Sequence, residues 1–341
     1  MKKIIVVAGT ILADVVKVVE TYPEKGMLAP ISSITQAVGG CVPNTGIDLK
    51  KIDPELTVRA AGRVGHDDYG NFIADELKHA GLDFSCMIRS TARTSFSDVV
   101  SVRETGERTF FHYEGANAEF CEADLLPILE QGCDLLHVGY IMLLPELDAK
   151  DKEHGTMLAK LLKQARERGI KTSVDCVSST NGDFKSTVSP ALKYCNYAIL
   201  NEIESAAVSG IPVRDENGEL SDKNVLDTMK YFMQCGVSDK VIIHAPEAGY
   251  LLDKTGYALK MPSLSLPKGF IKGTVGAGDA FCAGCLYALT SGLSGEETLK
   301  FAAAAAASSL SKRDAVSGMG NKVEILALDR CFRRHQGVKL C

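Results

Sequence analysis

The chain has 341 residues, of which 45% are hydrophobic and 24% are charged. That composition is ordinary for a soluble globular protein and excludes global disorder, and no apolar stretch approaches the ~18 residues of a membrane span. The net charge of −5, with no long basic run, argues against a nucleic-acid-binding protein, which needs clustered Lys and Arg to replace counterions.

Short β-branched and apolar runs alternate with amphipathic stretches along most of the chain. The predicted strands are residues 4–9, 57–62, 133–139, 170–176, 197–200 and 240–244. The clearest predicted helices, 67–80 and 152–168, carry apolar stripes at helical spacing and are followed by Gly81 and Gly169. This alternation predicts an α/β fold whose mostly parallel sheet is covered by helices on both faces.

Two segments interrupt this alternation. Residues 97–103 and 108–113 are β-rich runs separated by a Glu-Thr-Gly-Glu turn, a pattern that predicts a hairpin. Residues 14–34 are extended and irregular. We expect these segments to pair into a small antiparallel sheet that stands off the main domain. The alternative is that they are two ordinary surface excursions.

The most informative segment is Gly-Thr-Val-Gly-Ala-Gly-Asp at 273–279. Gly276 and Gly278 allow a loop whose backbone N–H groups converge, and the apolar stripe that follows predicts a helix beginning at about Asp279. A glycine-rich turn at a helix N-terminus binds anions, with phosphate as the natural ligand. The segment lacks the Gly-Lys-Ser/Thr of a Walker A loop, and Phe281 replaces the third glycine of a dinucleotide fingerprint.

A carboxylate, Asp279, lies on the same turn as these amides. Because a carboxylate repels phosphate, its position suggests a general base that takes a proton from a hydroxyl about to attack phosphorus. The alternative is that Asp279 is a structural helix N-cap.

Gly-Ala-Gly-Asp at the start of a helix resembles the C-terminal signature of the ribokinase-like (PfkB) carbohydrate kinases. Other segments resemble the family's remaining motifs in the correct order, namely Gly9 with Asp14, Gly39 and Gly40 with Asn44, residues 62–67, residues 106–110 with 115–117, and Asn201 with Glu204. The resemblance implies a single domain over residues 1–341. Its fold would be Rossmann-like, with a small β-sheet lid built from about residues 12–36 and 94–118.

The resemblance also implies roles for individual residues. Asp279 corresponds to the base, and the amides of Gly276, Ala277 and Gly278 to the groups that stabilise charge on the transferred phosphoryl group. The residues implied to bind the sugar are Asp14, Gly39, Gly40 and Asn44. Those implied to bind ATP are Asn201, His244, Gly249, Thr274, Gly276 and Gly278. Glu204 is implied to hold Mg²⁺ through water.

Taken singly, several of these residues have ordinary structural explanations. Asp14 is then a loop cap and Asn44 a helix-start residue. Asn201 and Glu204, one helical turn apart, suit a hydrated cation on a shared face but are in most proteins a solvated helix face.

The sequence departs from the family pattern at three places, which concern the monovalent cation, the nucleotide loop and the sugar. Gly273 stands where many members carry an Asp that helps to bind a monovalent cation, so we expect little K⁺ activation. His244 and Pro246 replace a Thr and a Gly of the usual nucleotide loop. Tyr140 follows a strand after which ribokinases tend to carry a sugar-binding Glu, which is closer to fructokinase and ketodeoxygluconate kinase patterns.

The sequence therefore predicts an ATP-dependent, Mg²⁺-requiring kinase for a fructose-, ketodeoxygluconate- or ribose-like sugar. One alternative is a nucleoside kinase of the same family, with Tyr113 and Tyr140 as candidate platforms for the base. Another is a sugar sensor that has lost turnover. We expect no nucleic-acid or membrane partner, and a homodimer formed through the apolar hairpin of the lid, because bare strand edges invite association.

The cysteine pattern indicates a reducing compartment. Eleven cysteines without disulfide spacing, and an N-terminal apolar run that is better explained as a buried strand than as an export signal, predict reduced thiols in the cytoplasm. Cys282 and Cys285 form a C-x-x-C motif inside a helix, where a redox or metal role is the minor alternative. His66, His112, His137, His154 and His244 have no spacing that suggests a metal site.

Overall fold

The computed structural model describes residues 2–178 and 182–335, which fold around two principal β-sheets. In chain order the strands are β1 (Ile4–Gly9), β2 (Leu12–Val19), β3 (Ile31–Gly39), β4 (Thr57–Gly65), β5 (Asp83–Ser90), β6 (Phe96–Val102), β7 (Arg108–Tyr113), β8 (Leu135–Ile141), β9 (Lys150–Asp151), β10 (Gly155–Thr156), β11 (Lys171–Cys176), β12 (Tyr197–Asn201), β13 (Lys240–His244), β14 (Ala248–Asp253) and β15 (Ala258–Pro262). The helices are α1 (Cys41–Ile52), α2 (Asp68–His79), α3 (Glu122–Gln131), α4 (Pro145–Asp148), α5 (Met157–Glu167), α6 (Phe184–Leu192), α7 (Glu202–Ser209), α8 (Asp222–Cys235), α9 (Ala277–Thr290), α10 (Gly295–Ser309) and α11 (Lys322–Cys331).

The main sheet has the strand order β15-β14-β13-β12-β11-β8-β1-β4-β5. The strands from β13 to β5 along this order are parallel, and β14 and β15 add an antiparallel edge. β1 is an interior strand of this sheet, and its Ile5, Val6, Val7 and Ala8 are fully buried. Such a continuous apolar run is expected of a parallel strand that is covered on both faces.

Each face of the main sheet has its own hydrophobic core. One core packs the sheet against α1, α2, α9, α10 and α11, and the other packs it against α3, α5, α6, α7 and α8. Helices thus cover both faces, as the sequence predicts. Within the described residues, none of these helices combines the length and the apolar character needed to cross a bilayer.

The second principal sheet, β3-β2-β6-β7, is called the lid here. β6 and β7 form the predicted hairpin, and the segment after β1 pairs with it as expected. The prediction that this sheet is antiparallel is wrong, because β2 and β6 are parallel. Both strands leave the main sheet in the same direction, β2 directly after β1 and β6 soon after β5.

Two predicted helix starts are also corrected. The helix expected from residue 152 begins at Met157, because residues 150–156 form the β9–β10 hairpin and Thr156 caps the helix by accepting a hydrogen bond from the Ala159 amide. The helix expected at about Asp279 begins two residues earlier, at Ala277. Gly81 and Gly169 do end their helices, each with a positive φ.

The topology brings the carboxyl ends of the parallel strands to one edge of the main sheet. Gly9, Tyr140, Asp175, Asn201 and His244 lie at or next to the ends of β1, β8, β11, β12 and β13. α9 starts at the same edge, and the lid extends from it. In open α/β sheets, ligands bind at such an edge.

Candidate active site

The start of α9 forms the glycine-rich turn predicted from the sequence. Gly276 is the N-cap, with the left-handed φ of 76° that glycine adopts most easily. A Cβ at this position would lie 2.6 Å from the Ala315 Cα, so a side chain has no room. The first amides of the helix, including those of Ala277 and Gly278, have no intrahelical acceptor, although the Ala277 amide reaches the Thr274 carbonyl at 3.4 Å.

Asp279 is the third residue of α9 and is buried against two other elements. Its Oδ2 accepts hydrogen bonds from the Asn44 Nδ2, 2.9 Å away on α1, and from the Tyr140 hydroxyl, 3.0 Å away near the end of β8. The N-cap alternative for Asp279 is therefore wrong, since Gly276 occupies that position. Because both bonds reach Oδ2, the other oxygen is available to a bound substrate.

The electrostatic surroundings of Asp279 favour its protonated form more than water does. Burial, followed by the negative charge of Asp175, raises the pKa of Asp279 to about 7, while the hydrogen bonds from Asn44 and Tyr140 act in the opposite direction. A carboxylate with a pKa near neutrality is suited to accept a proton and release it again at physiological pH.

The predicted sugar residues gather on the lid side of Asp279. Asp14 lies on β2 opposite the end of β3, and a Cβ at Gly39 would be 2.5 Å from its Oδ2. Gly40 has a φ of 90°, and a Cβ there would meet the Thr10 carbonyl oxygen at 2.5 Å. Burial raises the pKa of Asp14 to about 6, partly offset by the charge of Arg108. Gly39 thus leaves room for the Asp14 carboxylate, and Gly40 allows the close approach of the Thr10 backbone.

A cavity of about 820 Å³, the larger cavity, separates the lid from the segment that precedes α9. Phe110 and Arg108 line it, so their face of the lid sheet is the inner face. The strand register places Asp14 on the same face and Phe111 on the outer face. The cationic residues that line this cavity are Arg103, Arg108, Lys272 and Arg313, and no carboxylate of the described residues is among its lining.

A second cavity of about 240 Å³, the smaller cavity, lies on the other side of Thr274, which lines both. The predicted nucleotide-binding residues that line it are Asn201, His244, Thr274, Gly276 and Gly278. Gly249 is the exception. Its position faces the core, where a Cβ would meet the Phe281 ring at 3.2 Å and Leu299 at 3.3 Å. Gly249 therefore has a packing role in β14.

His244 lies in the wall of the smaller cavity. Its ring stacks on Phe281 with centroids 4.7 Å apart. Burial lowers the pKa of His244 to about 4, so the imidazole is neutral at pH 7. A neutral ring can offer one donor and one acceptor to a ligand but no charge to phosphate.

Asn201 and Glu204 form a reciprocal cap at the start of α7. The Asn201 Oδ1 accepts from the Glu204 amide at 2.8 Å, and the Glu204 Oε2 accepts from the Asn201 amide at 3.1 Å. The Glu204 Oε1 also accepts from the Ser178 hydroxyl at 3.1 Å. Burial is the main cause that raises the pKa of Glu204 to about 8. The alternative of a solvated helix face is therefore wrong for Glu204, which is 5% exposed.

Gly273 is packed too tightly to be replaced by a carboxylate in this backbone. A Cβ there would lie 2.9 Å from the Arg313 Cα and 3.0 Å from the carbonyl oxygens of Lys312 and Arg313. The missing acidic side chain therefore has no space at this position.

Asp175 and Tyr140 contribute more to the site than the sequence indicates. The Asp175 Oδ1 accepts a 2.6 Å hydrogen bond from the Tyr140 amide, and Tyr140 has a φ of 61°, which is uncommon outside glycine. From the sequence, Tyr140 is predicted as a departure from ribokinase patterns and as a candidate platform for a nucleobase, and its hydrogen bond to Asp279 is not predicted. Asp175 has one sequence signal, its place at the carboxyl end of a predicted parallel strand.

The chain is similar to kinases in sequence. A family model described as pfkB family carbohydrate kinase matches residues 1–321. A bifunctional ribokinase/ribose-5-phosphate isomerase A of Fructilactobacillus sanfranciscensis is 24% identical over 282 residues, or 82% of this chain, which spans 47% of that protein. A 2-dehydro-3-deoxygluconokinase of Escherichia coli is 23% identical over 278 residues, covering 79% of this chain and 86% of the other.

The fold is shared as well. The structure of Arabidopsis thaliana ribokinase complexed with ribose and ATP matches with a TM-score of 0.81 at 21% identity, covering 97% of this chain and 99% of that one. The predicted fold class, a mostly parallel α/β sheet with a small separate sheet, is thereby confirmed. Because the family model matches almost the whole sequence, the chain belongs to the pfkB family of carbohydrate kinases.

Proposed function

We propose that this protein transfers a phosphoryl group from ATP to a hydroxyl of a small carbohydrate by in-line displacement. The observation that carries the proposal is the position of Asp279. Its carboxylate lies on the helix turn that presents the anion-binding amides, borders the smaller cavity, and is bonded to Asn44 beside the predicted sugar residues. A general base and a set of anion-binding amides thus lie together where the sugar hydroxyl would meet the terminal phosphate of ATP.

The residues around Asp279 have different roles in the proposed reaction. Asn44 and Tyr140 hold Oδ2, so that the second oxygen accepts the proton of the attacking hydroxyl. The amides of Gly276, Ala277 and Gly278 stabilise the charge that develops on the transferred phosphoryl group. Asp14, Gly39 and Gly40 position the hydroxyls of the sugar.

The smaller cavity fits the nucleotide phosphates together with a hydrated divalent cation. Its lining includes the carboxylates of Asp175, Glu204 and Asp279 and no Lys or Arg among the described residues. Burial raises the pKa values of Glu204 and Asp279, so the ionised forms of these two carboxyl groups gain from a nearby cation. Glu204 would hold Mg²⁺ through water, with Asn201 fixing the carboxylate, and bound Mg²⁺ would neutralise charge on the ATP phosphates.

The larger cavity favours an acceptor that carries a negative charge. Glu20 pairs with Arg103 at 2.7 Å, and the charge of Arg108 acts on Asp14. Lys272 and Arg313 also line the space between the lid and the α9 turn, so positive charge is in excess there. Among the candidate sugars, a sugar acid of the ketodeoxygluconate type supplies a carboxylate for these cations. The charge pattern gives no such reason to favour ribose or fructose.

The nucleoside alternative has less support from the positions of the two tyrosines. The strand register puts Tyr113 on the outer face of the lid, where it packs on Phe96 with ring centroids 5.4 Å apart. The hydroxyl of Tyr140 is engaged by Asp279. Neither tyrosine is among the residues that line the larger cavity, and Tyr140 lines the smaller one.

A kinase assay with Mg-ATP across ketoses, aldoses, sugar acids and nucleosides tests the proposal. We expect kcat/KM to be highest for a sugar acid, and we expect R108Q to reduce this preference more than it reduces turnover of a neutral sugar. ATP-dependent phosphorylation of none of these acceptors, with sugar binding retained, would support the sensor alternative instead.

A further inference from the structure

Three side chains that are remote in sequence meet beside the base. They are His137 on β8, Asp175 on β11 and Cys282 on α9, and all three are buried. The parallel pairing of β8 with β11 sets His137 opposite Ser173, two residues before Asp175. Cys282 is one helical turn after Asp279 and so lies on the same face of α9. The histidine spacing in the sequence gives no indication of this cluster, because the fold alone assembles it.

The distances from the His137 Nε2 to the other two potential ligand atoms are close to those in a tetrahedral metal site. The His137 Nε2 is 3.4 Å from the Asp175 Oδ2 and 3.7 Å from the Cys282 Sγ, and the three ligand atoms all lie within 4.8 Å of one another. Ligands about 2.0 Å (N, O) and about 2.3 Å (S) from Zn²⁺, at tetrahedral angles, are themselves about 3.3 to 3.6 Å apart. The pairs that involve His137 therefore already have nearly the required spacing.

Hydrogen bonds hold two of the three potential ligands through the atoms that point away from the cluster. The His137 Nδ1 is 3.2 Å from the Ser173 hydroxyl, which leaves Nε2 directed at the cluster. The Asp175 Oδ1 accepts from the Tyr140 amide at 2.6 Å, which leaves Oδ2 on the cluster side. Ring orientation and carboxylate position are thus fixed by groups that are not ligands themselves, the usual arrangement around a protein-bound metal.

The cluster is open to a ligand from one side. Asp175 and Cys282 line the smaller cavity, whose walls also carry Asp279 and Glu204. These carboxyl groups beside the cluster are suited to attract a dication.

We propose that His137, Asp175 and Cys282 form a binding site for one thiophilic divalent cation such as Zn²⁺, distinct from the hydrated Mg²⁺ that accompanies ATP. On binding, the Cys282 S–H bond is broken, its proton passes to solvent and a metal–thiolate bond forms, with no change in oxidation state. The fourth position faces the smaller cavity. The bound dication inhibits phosphoryl transfer, because it occupies space beside Asp279 and lowers the basicity of that carboxylate.

Cobalt(II) is the probe of binding, since thiolate ligation gives it a charge-transfer absorption band. The full chain, reduced with a phosphine, is titrated with Co²⁺ and then with Zn²⁺. We expect one equivalent of Co²⁺ to give the band and Zn²⁺ to abolish it. C285A is the matched control, because Cys285 lies one turn further along α9, is equally buried and is outside the cluster.

The variants decide the proposal. C282A and C282S should lose the band, C285A should keep it, and S173A should weaken Co²⁺ binding by about 10- to 100-fold while keeping the band. Absence of the band from wild-type protein, or an equal band in folded C282A and C282S, overturns the site. Two cysteine replacements of different polarity ensure that a folding defect in one leaves the test intact.

Inhibition is measured separately and rests on the proposed kinase function. At saturating Mg-ATP, micromolar Zn²⁺ should inhibit wild-type and C285A protein, and C282S should be resistant. Equal inhibition of wild type and C282S would overturn the inhibitory role while the cobalt result stands. If no acceptor is phosphorylated at all, the proposed function fails, and the cobalt titration still tests the site.

Discussion

The two cavities on either side of Thr274 differ in charge and in how their walls are built. The smaller cavity is lined by carboxylates at strand ends and helix starts, such as Asp175 and Glu204, which are buried and held by hydrogen bonds. The larger cavity is lined by exposed cations, among them Arg108 and Lys272, on the lid and a loop. The difference suggests that reaction chemistry depends on the main sheet and acceptor selection on the lid.

The largest expected effect concerns the reaction chemistry that we assign to the main sheet. D279N keeps the shape of the side chain and removes the proton acceptor, so kcat should fall by ~10²–10⁴-fold while KM for ATP changes little. Steady-state kinetics of the purified variant give both constants. Turnover near that of the wild type would show that Asp279 is not the base.

Substitutions of two adjacent phenylalanines test the role of the lid in acceptor selection, and each variant is a control for the other. Phe110 is on the inner face and Phe111 on the outer face, and both are exposed in the isolated chain. F110S should raise KM for the acceptor by roughly tenfold through lost apolar contact, with the oligomeric state unchanged.

F111S should affect the oligomeric state and not KM for the acceptor. The outer face also exposes Ile34, so we propose that a second copy of the chain covers this face and gives a lid-mediated dimer. Sedimentation should show weaker self-association of F111S, with KM close to that of the wild type. If wild-type protein sediments as a monomer, the dimer is excluded.

A smaller effect concerns the pH at which the base becomes active. Asp279 must be ionised to accept a proton, so kcat/KM should rise with pH through about 7 and level off above it. The Tyr140 hydrogen bond lowers the pKa of Asp279 and the Asp175 charge raises it. Y140F should therefore move the profile to higher pH and D175N to lower pH. Shifts in the same direction would contradict this account of the electrostatics.

The smallest expected effect is that of the monovalent cation. Because Gly273 supplies no carboxylate and has no room for one, replacing K⁺ with tetramethylammonium at fixed ionic strength should leave kcat unchanged. A steep, saturable dependence of kcat on K⁺ would show that other oxygen atoms form a cation site.

Parts of the fold that rest on local patterns could be predicted from the sequence. The strands Ile4–Gly9 and Lys240–His244 have the predicted bounds, because continuous apolar runs bordered by polar or glycine residues define buried strands. The parallel pairing of β2 with β6 could not be predicted, since strand direction in a sheet depends on where both segments leave the main sheet.

In the candidate site, too, features with a local sequence pattern could be predicted and features that depend on the fold could not. Gly276 and Asp279 stand out because turn glycines and a helix-start carboxylate have local signatures. Gly249 does not line the smaller cavity, and a glycine that makes room for Phe281 in the core looks the same in sequence as one that makes room for a ligand. The meeting of His137 with Cys282 depends on contacts across 145 residues of chain, for which no local pattern exists.

The left-handed backbone of Tyr140 has a consequence for evolution at this position. A non-glycine residue there costs about 1–2 kcal/mol, and the bond from its amide to Asp175 helps to maintain it. β-branched residues would be strained further, Gly would relax the backbone, and only a side chain with a terminal donor can reach Asp279 as Tyr does. Variants selected for thermal stability alone should therefore replace the tyrosine at this position and lose catalytic turnover. Stability and catalysis thus compete at a single residue.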